Sequence, residues 1–187
     1  MRNYQAAQTQ LDQLSSTVTP LLQATANAYL ADCALALGQF EDAERLVNLS
    51  IQQDPTLPHG QTILGILSMQ IGKTEQARTA LEKAAELDPG NDRVFFQLSN
   101  VLRQLGESEL ADQAFTRHEE IKTLKLEYIE LNVRAAQQTD NAEIRVRIGA
   151  IAEKLGDLEA AVSWYSGALG IDSENEEALA ALRRLSN

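Results

Sequence analysis

Residues 58–91 read PHGQTILGILSMQIGKTEQARTALEKAAELDPGN, and residues 24–57 before them read ATANAYLADCALALGQFEDAERLVNLSIQQDPTL. Set one under the other, the two stretches agree column by column at a spacing of 34 residues. Gly38 falls over Gly72, Leu30 over Leu64, Ala31 over Gly65, Ala43 over Ala77 and Val47 over Leu81. The columns continue through Gly106 and Gly156, Leu98 and Ile148, Ser99 and Gly149, Ala111 and Ala161, Phe115 and Tyr165. The step is 34 residues into the third copy and 50 into the fourth. Five columns moving together mark an internal repeat, in which each copy is one supersecondary unit.

Each column has a physical reading. The apolar spacing on either side of the glycine is helical, and a glycine between two helices supplies the left-handed turn that ends the first. Small residues after Leu30, Leu64, Leu98 and Ile148, and the alanines of the second helix, let paired helices approach closely. Val47, Leu81, Phe115 and Tyr165 are expected to fill the space between pairs. Asp54-Pro55 and Asp88-Pro89 end the second helices, since proline cannot continue a helix. A single pair cannot bury its faces, so the pairs must stack.

This 34-residue period resembles the tetratricopeptide repeat family. The resemblance implies an all-α solenoid, a right-handed superhelix of antiparallel helix pairs with a concave face. It covers residues 24–57, 58–91, 92–123 and 142–173. Residues 1–20, with Tyr4, Ala7, Leu11 and Leu14 in helical phase, are either half of a preceding repeat or an N-terminal cap. Ser173-Glu174-Asn175-Glu176 reads as a capping box. Residues 174–187 then form a capping helix, apolar at Ala178, Leu179, Leu182 and Leu185.

The longer third step inserts 16 residues. Thr123 stands where Pro55 and Pro89 stand earlier, and neither Gly nor Pro occurs between Gly106 and Gly149. An extended helix is therefore expected over 107–138, between the third and fourth repeats, with Asp140 and Glu143 as a second capping box. Leu110, Ala114, Ile121, Leu124, Tyr128, Leu131 and Ala135 fall on a coiled-coil-like seam. A second stripe, Leu126, Ile129 and Val133, either packs within the chain or awaits another subunit. His118 replaces the small Ser50, Ala84 and Ala168 of other repeats, which suggests a missing close neighbour.

Composition narrows the function. The 187 residues are 44% apolar and carry a net charge of −11, which excludes a bulk electrostatic footprint for nucleic acid or an anionic membrane. The single cysteine, Cys33, cannot form an intramolecular disulfide and reads as a core thiol. No phosphate loop, HExxH or CxxC is present, and His59 and His118 lie in different repeats. No catalytic residue, metal site or cofactor is expected. Apolar runs fall far short of the ~20 residues of a membrane span, and no signal peptide is evident. If Met1 is the native start, the protein is expected in the cytoplasm. Trp164 is expected to pack near the terminal cap.

In the family that the repeats resemble, first helices line the concave face. Helical phase then assigns Ala28, Asp32 and Leu35 from the first repeat. It assigns His59, Thr62, Ile66 and Met69 from the second, and Arg93, Phe96, Asn100 and Arg103 from the third. Ile66, Met69 and Phe96 form an apolar floor, and Arg93, Asn100 and Arg103 a cationic edge able to take a carboxylate. The carboxylate clamp of heat-shock co-chaperones does not fit. Its positions fall on Ala28, Asp32, Ile63, Arg93 and Gln97, of which only Arg93 has the right charge.

The expected function is a non-catalytic protein–protein interaction scaffold holding an extended peptide or partner helix in the groove. One alternative is an accessory region of a larger enzyme, such as a glycosyl- or sulfotransferase. Another is a self-assembly module that dimerises through the extended helix at Leu126, Ile129 and Val133. The resumed repeat after an extension resembles bacterial members of the family more than eukaryotic co-chaperones.

Overall fold

The computed structural model describes Thr9 and residues 20–186, and all regular structure among them is helical. The half-repeat or cap expected over 1–20 lies almost wholly outside the described residues. Four helix pairs and a terminal helix follow: α1 (Pro20–Ala36), α2 (Phe40–Gln53), α3 (Pro58–Gln70), α4 (Thr74–Leu87), α5 (Asp92–Gln104), α6 (Ser108–Gln137), α7 (Ala142–Lys154), α8 (Leu158–Leu169) and α9 (Glu176–Leu185). α6 has 30 residues, so it is roughly 45 Å long at 1.5 Å per residue.

The turn inside each pair is the same motif four times. Gly38, Gly72, Gly106 and Gly156 hold φ of 75°, 76°, 80° and 82°, where a Cβ would be strained. The residue after each glycine donates back to the preceding helix: Gln39 N to Ala34 O, Lys73 N to Ser68 O, Glu107 N to Leu102 O and Asp157 N to Ala152 O, at 2.8–2.9 Å. These bonds are those of a Schellman cap, and they satisfy carbonyls that a helix end otherwise leaves open.

The chain divides into two compact lobes. One holds the described residues up to Asp88 together with Arg93–Thr116; the other holds Pro89–Asp92 and the described residues from Arg117. In the first lobe, Leu30, Ala31, Ala43, Val47, Ile63 and Leu67 form one buried cluster. Ala77, Leu81, Val94, Leu98, Val101 and Ala111 form a second. Gly65 is a packing glycine, since a Cβ there would stand 2.5 Å from Leu81 Cγ. In the second lobe, Leu131 and Ala135 of α6 pack on Ile144, Ile148 and Ile151 of α7, with Leu124, Tyr128 and Trp164 at the edge. Ala161, Tyr165, Ala178 and Ala181 close the end under α9.

Several expectations need correction. Phe115 is not buried like Val47, Leu81 and Tyr165 but 39% exposed. Leu81 and Tyr165 lie against glycines, Gly65 and Gly149. The third repeat has Ser99 there, buried with its Oγ donating to Phe96 O at 2.8 Å. Phe115 lies under the Arg103 guanidinium, 5.6 Å away. His118 has a hydrogen-bond partner within its own repeat. Its Nδ1 donates to Asp92 O at 2.8 Å, as Ser50 Oγ donates to Ala24 O at 2.7 Å one-for-one in the first repeat.

Trp164 packs away from the cap, its Nε1 donating to Tyr128 OH at 3.3 Å with Arg145 over the ring. Both expected capping boxes are out of register. Asn141, not Asp140, caps α7 by accepting from Ile144 N, and Asn175, not Ser173, caps α9 by accepting from Ala178 N. An Asx side chain one or two residues nearer the helix reaches the open N–H groups better. Of the proposed seam, Leu110 is exposed rather than buried.

Candidate functional site

The first helices of the first lobe, α1, α3 and α5, stand side by side and share one face. On α1, Tyr29 is 50% exposed, and its ring lies 4.6 Å from that of His59 on α3. One turn along α1, Asp32 Oδ1 lies 3.6 Å from Arg93 Nη2 on α5. Phe96, one turn beyond Arg93, is 40% exposed. Asn100 and Met69 are half-buried on the same two helices.

His59 sits among these charges. Burial pushes its imidazole below the ordinary value, Asp32 pulls it up, and Arg93 pushes it down. The ring is therefore neutral at pH 7. Its Nε2 is buried without a hydrogen-bond partner. Arg103 lies further along α5, 3.8 Å from Asp112 and over Phe115.

The face is narrower than helical phase suggests. Thr62 and Ile66 are buried and do not form an open floor. Thr62 Oγ1 is occupied by Pro58 O at 2.9 Å, and Ile66 belongs to the core cluster around Leu30. Ala28 and Leu35 are buried as well. Ile63 and Ala28, two of the clamp positions, are fully buried, so the clamp geometry is absent. Tyr29 was missed. It shares a column with the buried Ile63 and with Gln97, so nothing in the repeat pattern singles it out.

Two further features lie in the second lobe. Leu126, Ile129 and Val133 are 69%, 62% and 56% exposed along one side of α6. A crevice of about 430 Å³ opens beside α9, floored by Ala150, Ala181 and Tyr165 and walled by Glu153 and Arg184. Arg184 Nη2 donates to both Glu153 oxygens at 2.8 and 2.9 Å, and Tyr165 OH donates to Glu153 at 3.2 Å. Burial, then that hydrogen bond to a carboxylate, pushes the Tyr165 phenol up to about 12. Among the described residues no three His, Cys, Asp or Glu side chains group as metal ligands. No described helix is long and apolar enough to cross a membrane.

Known proteins share this pattern. Tetratricopeptide-repeat family profiles match residues 1–58, and residues 60–91 and 142–175, more than half of the chain together. The chain belongs to the tetratricopeptide repeat family. Anaphase-promoting complex subunit 3 of Schizosaccharomyces pombe is 24% identical over 146 residues, covering 78% of this chain and 20% of that protein. Protein O-mannosyl-transferase TMTC1 of Mus musculus is 27% identical over 163 residues, covering 83% of this chain and 16% of that protein. The chain thus spans a fifth or less of these curated relatives. Among solved structures, the Thermus thermophilus tetratricopeptide-repeat protein TTC0263 superposes with a TM-score of 0.56 at 20% identity, over 98% of this chain and 90% of that one. That likeness is one of fold. A tetratricopeptide array of this kind is a protein-interaction scaffold, and fold membership leaves its partner open.

Proposed function

We propose that the face of α1, α3 and α5 is the concave groove of a non-catalytic scaffold and holds an extended segment or helix of a partner protein. The observation that carries this is the solvent exposure of Tyr29 and Phe96 beside Arg93. Amphipathic aromatics and arginine are the residues that anchor interfaces, and apolar groups rimmed by polar ones favour docking over solvation. Of the residues that helical phase assigns, His59, Met69, Arg93, Phe96, Asn100 and Arg103 contribute, with Tyr29 added and Thr62 and Ile66 behind them. The test is to pan a displayed library of random peptides, about 12 residues long, against the chain and to titrate the recovered peptide. Phe96→Ala and Tyr29→Ala are expected to weaken it by about 2 kcal/mol, roughly thirtyfold, as interface anchors do. Peptides that bind both variants as they bind wild type place the site elsewhere.

A second reading rests on the exposed Leu126, Ile129 and Val133: self-association of α6. Three side chains fall short of the ~800 Å² per partner of a standard interface, so the dimer is expected to be weak. Light scattering at high concentration tests it, with Ile129→Glu expected to return the mass to monomer. The similarity to TMTC1 supports a third reading, an accessory region of a longer enzyme. A catalytic domain in the same reading frame supports that reading, and its absence there refutes it.

A further inference from the structure

We infer that Asp32 is an internal stand-in for an acidic side chain of the partner, so that the groove takes a carboxylate-bearing peptide and Asp32 sets its affinity. This rests on the reading of the α1, α3 and α5 face as a binding surface. It goes further by naming the partner's chemistry and a residue that opposes binding.

The Asp32–Arg93 contact is loose. At 3.6 Å it is a charge contact beyond good hydrogen-bond length, and the two side chains are 48% (Arg93) and 30% (Asp32) exposed. Pairs of this kind are screened by water and contribute little to stability. Arg103 is held in the same way, 3.8 Å from Asp112. The face thus carries two arginines, each kept near a carboxylate of its own chain without a short bond to it. An incoming carboxylate can meet Arg93 in the bidentate geometry that Asp32 does not reach, at about 2.8 Å. A basic peptide finds Asp32 and Asp112 already beside Arg93 and Arg103, and those arginines repel it.

The surroundings suit such a ligand. Phe96 stands one helical turn from Arg93, and Arg103 two turns beyond Phe96 on the same helix. An extended peptide laid along α5 therefore meets cation, aromatic and cation in order. Tyr29 and His59 stack beside the Asp32 end. The neutral His59 does not add a competing charge. On a chain of net charge −11, this order of groups is a local exception to the prevailing sign.

The experiment uses the full chain and the peptide recovered by panning, synthesised with its acidic residue and with that residue changed to the amide. Asp32→Asn is expected to bind the acidic peptide two- to fivefold more tightly than wild type, the range returned when an exposed ion pair is released. Arg93→Gln is expected to weaken it at least tenfold. The amide peptide should lose as much on wild type, yet lose nothing more on Arg93→Gln. Both substitutions sit at partly exposed positions, and unchanged circular dichroism confirms their folding. If Phe96→Ala abolishes binding but Asp32→Asn leaves it unchanged or weaker, the stand-in is wrong and the groove stands. If the recovered peptides are neutral or basic, the inference also fails. If none is enriched, or binding ignores Phe96 and Tyr29, the groove reading itself falls.

Discussion

Gly156 is asked to do two things that its counterparts do separately, and substituting alanine separates them. Gly38, Gly72, Gly106 and Gly156 share one left-handed turn, with φ between 75° and 82°. A Cβ at Gly38, Gly72 or Gly106 would meet nothing within 4 Å. Gly72→Ala therefore costs only the left-handed backbone, about 1–2 kcal/mol. At Gly156 a Cβ would also stand 2.5 Å from Pro89 Cγ and 3.1 Å from its Cδ. A proline ring cannot swing aside as a long flexible chain does, so the overpacking adds about 1–3 kcal/mol. The total for Gly156→Ala is then about 2–5 kcal/mol.

Urea unfolding resolves this difference. With a slope near 2 kcal/mol per molar, Gly72→Ala shifts its midpoint by roughly 0.5–1 M and Gly156→Ala by roughly 1–2.5 M. Trp164, the sole tryptophan, reports the second lobe, and circular dichroism reports the helices as a whole. The double variant Pro89→Ala/Gly156→Ala removes Cγ and Cδ while keeping the strained backbone. Relative to Pro89→Ala alone, the added cost of Gly156→Ala should fall to the Gly72→Ala level. If Gly156→Ala costs no more than Gly72→Ala, the Pro89 turn is not packed on the α7–α8 turn. The grouping of Pro89–Asp92 with the second lobe is then wrong.

Three other outcomes follow from the same contacts. The Tyr165 phenol, raised to about 12, remains protonated in the folded chain after it ionises in the unfolded one. Its contribution is full below pH 10 and is lost between pH 10 and 12, so Tyr165→Phe should flatten alkaline unfolding in that window. The His59 imidazole is lowered, so its contribution is full above pH 6.5 and is lost as the pH falls toward its folded value. Proton NMR should show His59 titrating below 6.5, lower still in Asp32→Asn and higher in Arg93→Gln; no change in either variant refutes the cluster. Asn141→Ala should destabilise by about 1 kcal/mol in thermal unfolding and Asp140→Ala by much less, because only Asn141 accepts from Ile144 N. Equal costs for the two would restore the capping box read from the sequence.

What was legible in the sequence is what repeats with a fixed period. The glycine turns and the apolar columns are set by backbone geometry and by the face each helix buries, and both recur every 34 residues. Features set by a particular neighbour did not show. Phe115 stands in the same column as Leu81 and Tyr165, yet it is 39% exposed beneath Arg103. Tyr29 shares a column with Ile63, one half-exposed and the other fully buried. Helical phase placed Thr62 and Ile66 on the open face, but phase gives direction and not depth, and the neighbouring helices cover both. Register at a cap is similarly hidden, since Asp140 and Asn141 are nearly equivalent as sequence signals.

The polar couplings show the same limit from the other side. Lys73 and Glu44 pair at 2.8 Å across the first two repeats. One period later the same two positions hold Glu107 and Arg78, which pair at 2.7 Å with the charges exchanged. Ser50 and His118 share a column, and each gives its side-chain hydrogen bond to the first residue of its own repeat, Ala24 or Asp92. In each case the contact persists while the residue types change. A column read for residue identity sees only variation there; read for the partner one helix away, these two repeats agree. The Asp32–Arg93 contact belongs with these couplings by geometry but differs in reach, because it joins first helices two repeats apart across the open face. Ion pairs this exposed contribute little to the stability of the array, whether short or long. A loose, half-solvated pair on the open face adds little to it, and that leaves Arg93 available to exchange its own carboxylate for another.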